Sequence, residues 1–310
     1  MLAADARPDY YTVRAAEASK PQSLASGLTA GTPVAGPTAT AGTLAAPLEA
    51  ERAELVAWMQ GWAGENTAAD VKSNVHVRRG LALVQARLAD EAATEFSLAR
   101  ADLRDDPWAL LALSEYMRDQ GLPYQSLAAA NRLLGKSSTA MLEAPRYLQR
   151  LIYPAAFVGP VQQASSEFGV DPLWLLALVR QESAFDRYAE SWAEARGLTQ
   201  VIPSTADYIA GKLGIKGFRQ EDLFRPLLSL RFGAWYLSQS LKSPNDSIYL
   251  ALAGYNGGPA NAQKWLSKQQ SPDYDLFVED VAFSETQTYL RQVYLHHFMY
   301  ERLWGTHPYM

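Results

Sequence analysis

Leu178-Val-Arg-Gln-Glu182-Ser183-Ala-Phe-Asp-Arg-Tyr-Ala-Glu-Ser191-Trp-Ala-Glu-Ala-Arg-Gly197-Leu-Thr-Gln200-Val-Ile-Pro203 sets one carboxylate at the end of an apolar helix and follows it with a glycine-centred polar loop. Upstream, Asp171 is a natural N-cap and Pro172 stands where the first helical turn has no use for an N–H, so a helix is expected from there. Counting back from Glu182 by three, four and seven residues gives Val179, Leu178 and Leu175, all apolar and all on the carboxylate's own face. Desolvation on that face disfavours the charged form and raises the pKa toward a range where the group can donate a proton near neutrality. Periodicity alone also permits a plainer reading, in which Glu182 is the last helical residue emerging into solvent.

Three further segments bear on the choice. Ala253-Gly254-Tyr255-Asn256-Gly257-Gly258-Pro259 and Phe283-Ser284-Glu285-Thr286 follow in order, and Gly197-Leu198-Thr199-Gln200-Val201-Ile202-Pro203 closes the loop itself. Together with Arg180-Gln181-Glu182-Ser183-Ala184-Phe185 they resemble the soluble, lysozyme-like lytic transglycosylases: the "ES", "GLMQ", "AYNAGP" and "FxET" segments of that family, in its order and at about its spacing. The resemblance covers roughly residues 160 to 305. It departs from the family at Glu194, where a small glycine is usual, and at Thr199 and Ile202, where methionines are common.

The composition is compatible with this and excludes other classes. A chain of 310 residues can bury about two cores. Its net charge of −5 supplies no basic face for nucleic acid. With no cysteine there is neither a disulfide framework nor a thiolate site. The first residues lack a basic start and an apolar core, so no signal peptide is read in this numbering. Thr, Gly and Pro scattered through residues 28–50 argue against a spanning helix there. Because the family's polymer lies outside the cytoplasmic membrane, the resemblance implies a cell-envelope, extracytoplasmic location with the export signal removed.

The expected fold class is all-α: a short helical-hairpin, tetratricopeptide-like solenoid followed by a lysozyme-like domain. Residues 1–20 read as a short helical segment. Residues 21–48, built of Ala, Gly, Thr, Ser and Pro, read as a linker. From 49 to 159 the period is helical throughout, and Arg87–Phe96 and Arg118–Leu127 fill like positions about one repeat apart. Two or three hairpins are expected there, and an independent peptide-binding solenoid, with a protein partner on its face, is an alternative role for this half. Residues 160–310 carry the lysozyme-like domain. Asn245 or Asp246 is expected to cap one of its helices, while Ser204 with Asp207 and Ser284 with Gln287 are read as capping boxes for two others.

The resemblance implies one catalytic group, Glu182, and a substrate-binding set of Ser191, Gln200, Tyr255, Glu285 and Tyr289. It implies cleavage of peptidoglycan glycan strands without water. The acid protonates the oxygen between N-acetylmuramic acid and N-acetylglucosamine, then takes the proton of the muramic 6-hydroxyl as that group closes a 1,6-anhydro ring. Asp186, Glu190 and Glu194 are the other nearby carboxylates; Asp186 reads as a loop cap and the other two as solvated. No cofactor or metal is implied, since His76, His296, His297 and His307 lack a ligand spacing. Trp192, Trp235 and Trp265 read more readily as core than as site residues. Two alternatives stay open: a goose-type muramidase, which delivers water to the same bond, and a non-catalytic wall-binding scaffold.

Overall fold

The computed structural model describes residues 9–18, 42–66, 70–241, 247–269 and 273–305. Among them the regular structure is α-helix and two short 3-10 turns, with no pairing beyond two isolated bridges, Glu190 with Arg196 and Arg196 with Val201. The described residues separate into two compact units: 42–156, and 157–305 together with 9–18. The first helix, α1 (Tyr10–Ala18), thus groups with the far end of the chain. Most of the expected linker lies outside the described residues, but α2 (Gly42–Ala63) begins inside it, so residues 42–48 are helical.

The first unit continues with α3 (Val75–Gln85), α4 (Ala89–Asp102), α5 (Pro107–Asp119), α6 (Pro123–Lys136) and α7 (Arg146–Ile152). Helices α3/α4 and α5/α6 are two hairpins whose second helices start 34 residues apart. Equivalent positions repeat in detail. Arg87 at φ 63° and Gly121 at φ 71° make the same left-handed turn, and the N–H groups of Leu88 and Leu122 each reach back to a carbonyl of the preceding helix. Gly80 lies so close to Phe96 that a Cβ would stand 2.5 Å from its ring. One repeat on, Ser114 and Ala130 hold the same two positions, and the Ser114 hydroxyl donates to the Ser126 carbonyl at 2.9 Å. A large ring is thus paired with no side chain in one hairpin, and small residues hold both positions in the other. Helix α7 is tied to α2 by Arg150, whose Nε donates to Glu51 at 2.8 Å.

The second unit comprises α1, α8 (Val158–Phe168), α9 (Pro172–Glu182), α10 (Pro203–Lys212), α11 (Pro226–Ser240), α12 (Ile248–Gly257), α13 (Pro259–Leu266), α14 (Tyr274–Asp280) and α15 (Ser284–Trp304). Helix α9 starts as expected: Asp171 accepts from the Leu173 N–H at 2.7 Å, and Pro172 fills the first turn. Its residues 173–179 are buried all round, so it is the central rod, flanked by α15, α8 and α11. Arg231 on α11 grips Glu167 on α8 with both nitrogens. A smaller core beneath the loop after α9 is made by Val201, Ala206, Ile209, Leu223 and Phe232.

Two of the expected caps differ. Helix α10 starts at Pro203 after Ile202, and Asp207 instead accepts from the Gln220 amide at 2.9 Å. Phe283 precedes α15 without a side-chain cap, and Gln287 turns its amide to the Val278 and Glu279 carbonyls. In both places the Ser lies within the first turn of a helix, and a tertiary partner took the third-position side chain. Asn245 and Asp246 lie outside the described residues.

The repeat geometry gives a test. Gly80→Ala adds a methyl group against the buried Phe96 ring, an overpacking cost of about 1–3 kcal/mol set against a helix-propensity gain of about 1 kcal/mol. Urea unfolding should show a net loss for Gly80→Ala, and Phe96→Leu in the same chain should recover part of it.

Candidate active site

Glu182 is the last residue of α9, and the three residues behind it on its face, Leu175, Leu178 and Val179, are fully buried. The residue itself is half-buried. The Tyr289 hydroxyl, from the second turn of α15, donates to Glu182 Oε1 at 2.5 Å. Burial pushes the carboxyl up to about 7, and the Tyr289 hydrogen bond opposes that rise without cancelling it. Among the described residues no second carboxylate contributes to the shift.

Tyr255, in the last turn of α12, is the other phenol beside the acid. Burial and the negative charge of Glu182 hold its hydroxyl, and that of Tyr289, well above the ordinary tyrosine range. Both therefore remain neutral donors. The Tyr255 hydroxyl donates to the Thr199 carbonyl at 2.7 Å, which links α12 to the loop after α9.

That loop is held in a conformation the chain would not adopt alone. Ala184, Phe185, Glu194 and Gln200 all have positive φ, at a cost of about 1–3 kcal/mol for each non-glycine residue. Compensating contacts surround them. Phe185 is buried, and Ser183 donates to the Leu198 carbonyl at 2.9 Å. Gln200 donates through its amide nitrogen to the carbonyls of Ala189 and Gly197, both at 3.0 Å. Ser191 Oγ accepts from the Ala193 and Ala195 N–H groups at 3.2 and 3.1 Å. Gly197 is required: its φ is 76°, and a Cβ would lie 2.1 Å from the Leu223 carbonyl oxygen.

The family departure at Thr199 has a local reason. Its hydroxyl donates to the Ser229 carbonyl at 2.8 Å, its N–H donates to Ser229 Oγ at 3.1 Å, and its methyl group packs where Gly233 of α11 has no side chain. Departure at Glu194 leaves an exposed residue at a positive φ, where glycine would be unstrained.

The candidates named from the sequence are thus placed as follows. Tyr289 touches Glu182, and Tyr255 lies within its field. Ser191 and Gln200 shape the loop with the hydrogen bonds just given. Glu285 is exposed in the first turn of α15, next to Thr286, which is buried and donates to Asn256 at 2.7 Å. Asp186 accepts from the Tyr188 N–H at 2.9 Å, and Glu190 pairs with Arg196 at 3.0 Å. Of the three tryptophans read as core, Trp265 is buried, Trp235 is half-buried and Trp192 is 97% exposed at the loop tip. Sequence reasoning quoted Ser183 in the "ES" segment without a role and missed Ser229, for which a lone polar residue on the apolar face of α11 was the available signal.

A cavity of about 310 Å³ is lined by Tyr208, Trp235, Tyr236, Gln239 and Gln263 among others. Tyr236 meets the Tyr255 ring edge-on at 5.3 Å between centroids. Among the described residues no Asp, Glu, Lys, Arg or His lines it.

Residues 159–278 match the model of the transglycosylase SLT domain. A putative soluble lytic murein transglycosylase of Haemophilus influenzae is 34% identical over 195 residues, covering 62% of this chain and 31% of that protein. The soluble lytic murein transglycosylase of Escherichia coli K12 is 28% identical over 158 residues, covering 50% of this chain and 24% of the relative. The crystal structure of the 70 kDa soluble lytic transglycosylase of E. coli superposes with a TM-score of 0.66 at 22% identity, covering 86% of this chain and 44% of that one. That of the Pseudomonas aeruginosa lytic transglycosylase Slt, an inactive glutamate-to-glutamine variant, gives 0.65 at 22%, covering 100% and 48%. The all-α, lysozyme-like fold expected after residue 160 is the fold found. The chain spans less than half the length of these relatives.

The raised carboxyl makes stability depend on pH. Below the ordinary glutamate value both folded and unfolded states hold the proton, so burial costs nothing. As pH climbs toward and past about 7 the folded state must ionise a group that the unfolded state has already ionised, and stability is lost. Glu182→Gln removes that penalty. Thermal melts across pH should show no difference below about pH 4 and a variant more stable by about 2 kcal/mol above pH 8; a difference independent of pH would contradict the burial of this carboxyl.

Proposed function

We propose that this chain, whose residues 159–278 match the model of the transglycosylase SLT domain, is a lytic transglycosylase that cleaves the β-1,4 bond between N-acetylmuramic acid and N-acetylglucosamine in peptidoglycan, outside the cytoplasmic membrane. The observation that carries the reading is the isolation of Glu182: one carboxyl held at about 7 by burial, with the neutral Tyr289 phenol bonded to it, neutral Tyr255 beside it and, among the described residues, no partner carboxylate acting on it. Glycosidases with a nucleophile or a water-activating base require a second carboxyl group across the bond. Here one group has to serve twice.

Protonated Glu182 gives its proton to the glycosidic oxygen as the bond to the muramic anomeric carbon breaks. The carboxylate left behind is stabilised by the Tyr289 hydroxyl. It then takes the proton of the muramic 6-hydroxyl while that oxygen bonds the anomeric carbon. The glutamate ends protonated, no water is consumed, and the product carries a 1,6-anhydro end. A carboxyl near 7 suits both halves, because each form is populated at neutral pH.

The aromatic cavity supports a saccharide ligand. Tyrosine and tryptophan faces with amide side chains offer a pyranose ring stacking and hydrogen bonds at once, and the lack of charge in the lining suits a neutral sugar. Ser191, Gln200 and Glu285 complete the proposed substrate-binding set, the first two through the loop they shape. No helix of the described residues is long and apolar enough to cross a membrane.

Two measurements test this. Digestion of purified peptidoglycan should release muropeptides one water lighter than hydrolytic products and resistant to borohydride reduction; ordinary reducing ends would make the protein a muramidase. Glu182→Gln should slow release by at least ~100-fold, and an unchanged rate would favour a non-catalytic wall-binding role.

A further inference from the structure

Helix α1 is separated in sequence from the rest of its unit by more than a hundred residues, yet it is bound there through specific polar contacts as well as apolar packing. Tyr10 and Val13 are buried. Arg14 makes a two-pronged ion pair with Asp275 of α14, Nε to Oδ1 at 2.8 Å and Nη2 to Oδ2 at 3.0 Å. The Tyr10 hydroxyl donates to the same Asp275 Oδ1 at 2.9 Å, and this double grip holds the Asp275 carboxyl below the usual range. Planar bidentate pairing of this kind fixes orientation as well as proximity.

The same guanidinium reaches α15. Arg14 Nη1 donates to the Tyr294 hydroxyl at 3.0 Å, and its charge lies 5.3 Å from the Tyr294 ring centre. Tyr294 is a junction. Its ring stacks on Tyr249 of α12 at 5.7 Å and meets Trp174 of α9 at 6.1 Å. The helices joined at this point carry the reaction site at their other positions: α9 ends in Glu182, α12 carries Tyr255 six residues after Tyr249, and α15 carries Tyr289 five residues before Tyr294. A shift of α15 by a few tenths of an ångström would be felt directly in the Tyr289–Glu182 hydrogen bond.

We infer that α1 is a positioning clasp for the reaction site: by pinning Asp275 and Tyr294 it fixes α12, α14 and α15 against α9, and so sets Tyr289 on Glu182 and Tyr255 beside it. The inference that this matters for turnover rests on the proposed function; the inference that it sets the surroundings of Glu182 does not. The titratable groups facing Glu182 are Tyr289 from α15 and Tyr255 from α12, both neutral, so loosening the clasp alters the acid through hydration and the Tyr289 contact and not through a changed neighbouring charge.

The experiment uses the full chain with Arg14→Ala, Arg14→Lys as the conservative variant, and Tyr11→Phe as a milder one. Tyr11 is half-exposed and donates to Glu279 at 2.6 Å, on the outer edge of the same docking site. Three readouts are taken: thermal stability, the NMR titration of Glu182, and kcat and KM on peptidoglycan as functions of pH. In Arg14→Ala, water entry should bring the Glu182 titration down by about half a pH unit or more. The alkaline limb of kcat should follow it, and kcat should drop about threefold or more with KM little changed. Arg14→Lys, which keeps the charge but not the two-pronged geometry, should fall between. If Arg14→Ala does not fold, Tyr11→Phe should show the same changes at smaller size. A lowered melting temperature with an unmoved Glu182 titration in the variants that fold would overturn the proposal and leave α1 a structural helix only. Absence of glycan cleavage by the wild type would sink the proposed function while leaving the titration result standing.

Discussion

Keeping one carboxyl proton-bearing near neutral pH is the constraint around which the second unit is built. A glutamate in water is ionised two to three pH units below that point, so the protein must withhold solvation without supplying a counter-charge. The apolar face of α9 does the first part, through Leu175, Leu178 and Val179. Tyr289 does the second: its phenol donates a hydrogen bond yet carries no charge, so it holds the carboxyl without collapsing its pKa, while Tyr255 stays neutral beside it with its hydroxyl on the Thr199 carbonyl. An arginine in either place would have drawn the acid down and spoiled it as a donor.

The loop from Ser183 to Val201 faces the opposite problem, since its backbone is unfavourable at several positions. It survives because almost every unusual turn is tied by a side chain from the loop itself or from α11. Gln200 and Ser191 use their polar atoms on loop backbone, and Thr199 exchanges hydrogen bonds with Ser229 while filling the gap left by Gly233. The Tyr255 hydroxyl then binds the loop to α12. Residues expected to meet a ligand thus also form the scaffold that holds the site open.

The first unit obeys a simpler rule. Its hairpins repeat at 34 residues, and a small residue recurs where the helices cross, Gly80 against Phe96 in one and Ser114 against Ser126 in the next. The backbone turns recur at the same spacing while the side chains at the crossing differ, which is why the repeat is faint as a sequence and plain as a structure.

By itself the sequence determined the helical class, the start of α9 at Asp171 and Pro172, the apolar face behind Glu182, the glycine at 197 and the four segments that mark the family. Each rests on local rules: capping chemistry, helical period, or a backbone angle that one residue type tolerates. The site was legible to the extent that these rules place residues on one element. What the tertiary structure alone decided are contacts between elements far apart in the chain: Tyr289 on Glu182, Thr199 against Ser229 and Gly233, Gln287 and Asp207 drawn away from the caps they could have formed, and α1 returned to the far end of the molecule. A hydroxyl or amide has several partners of nearly equal energy within reach, and only the packing of whole helices selects among them. Positive φ at Ala184, Phe185 and Gln200 belongs to the same group, because no local preference favours it and it persists only where surrounding contacts outweigh its cost.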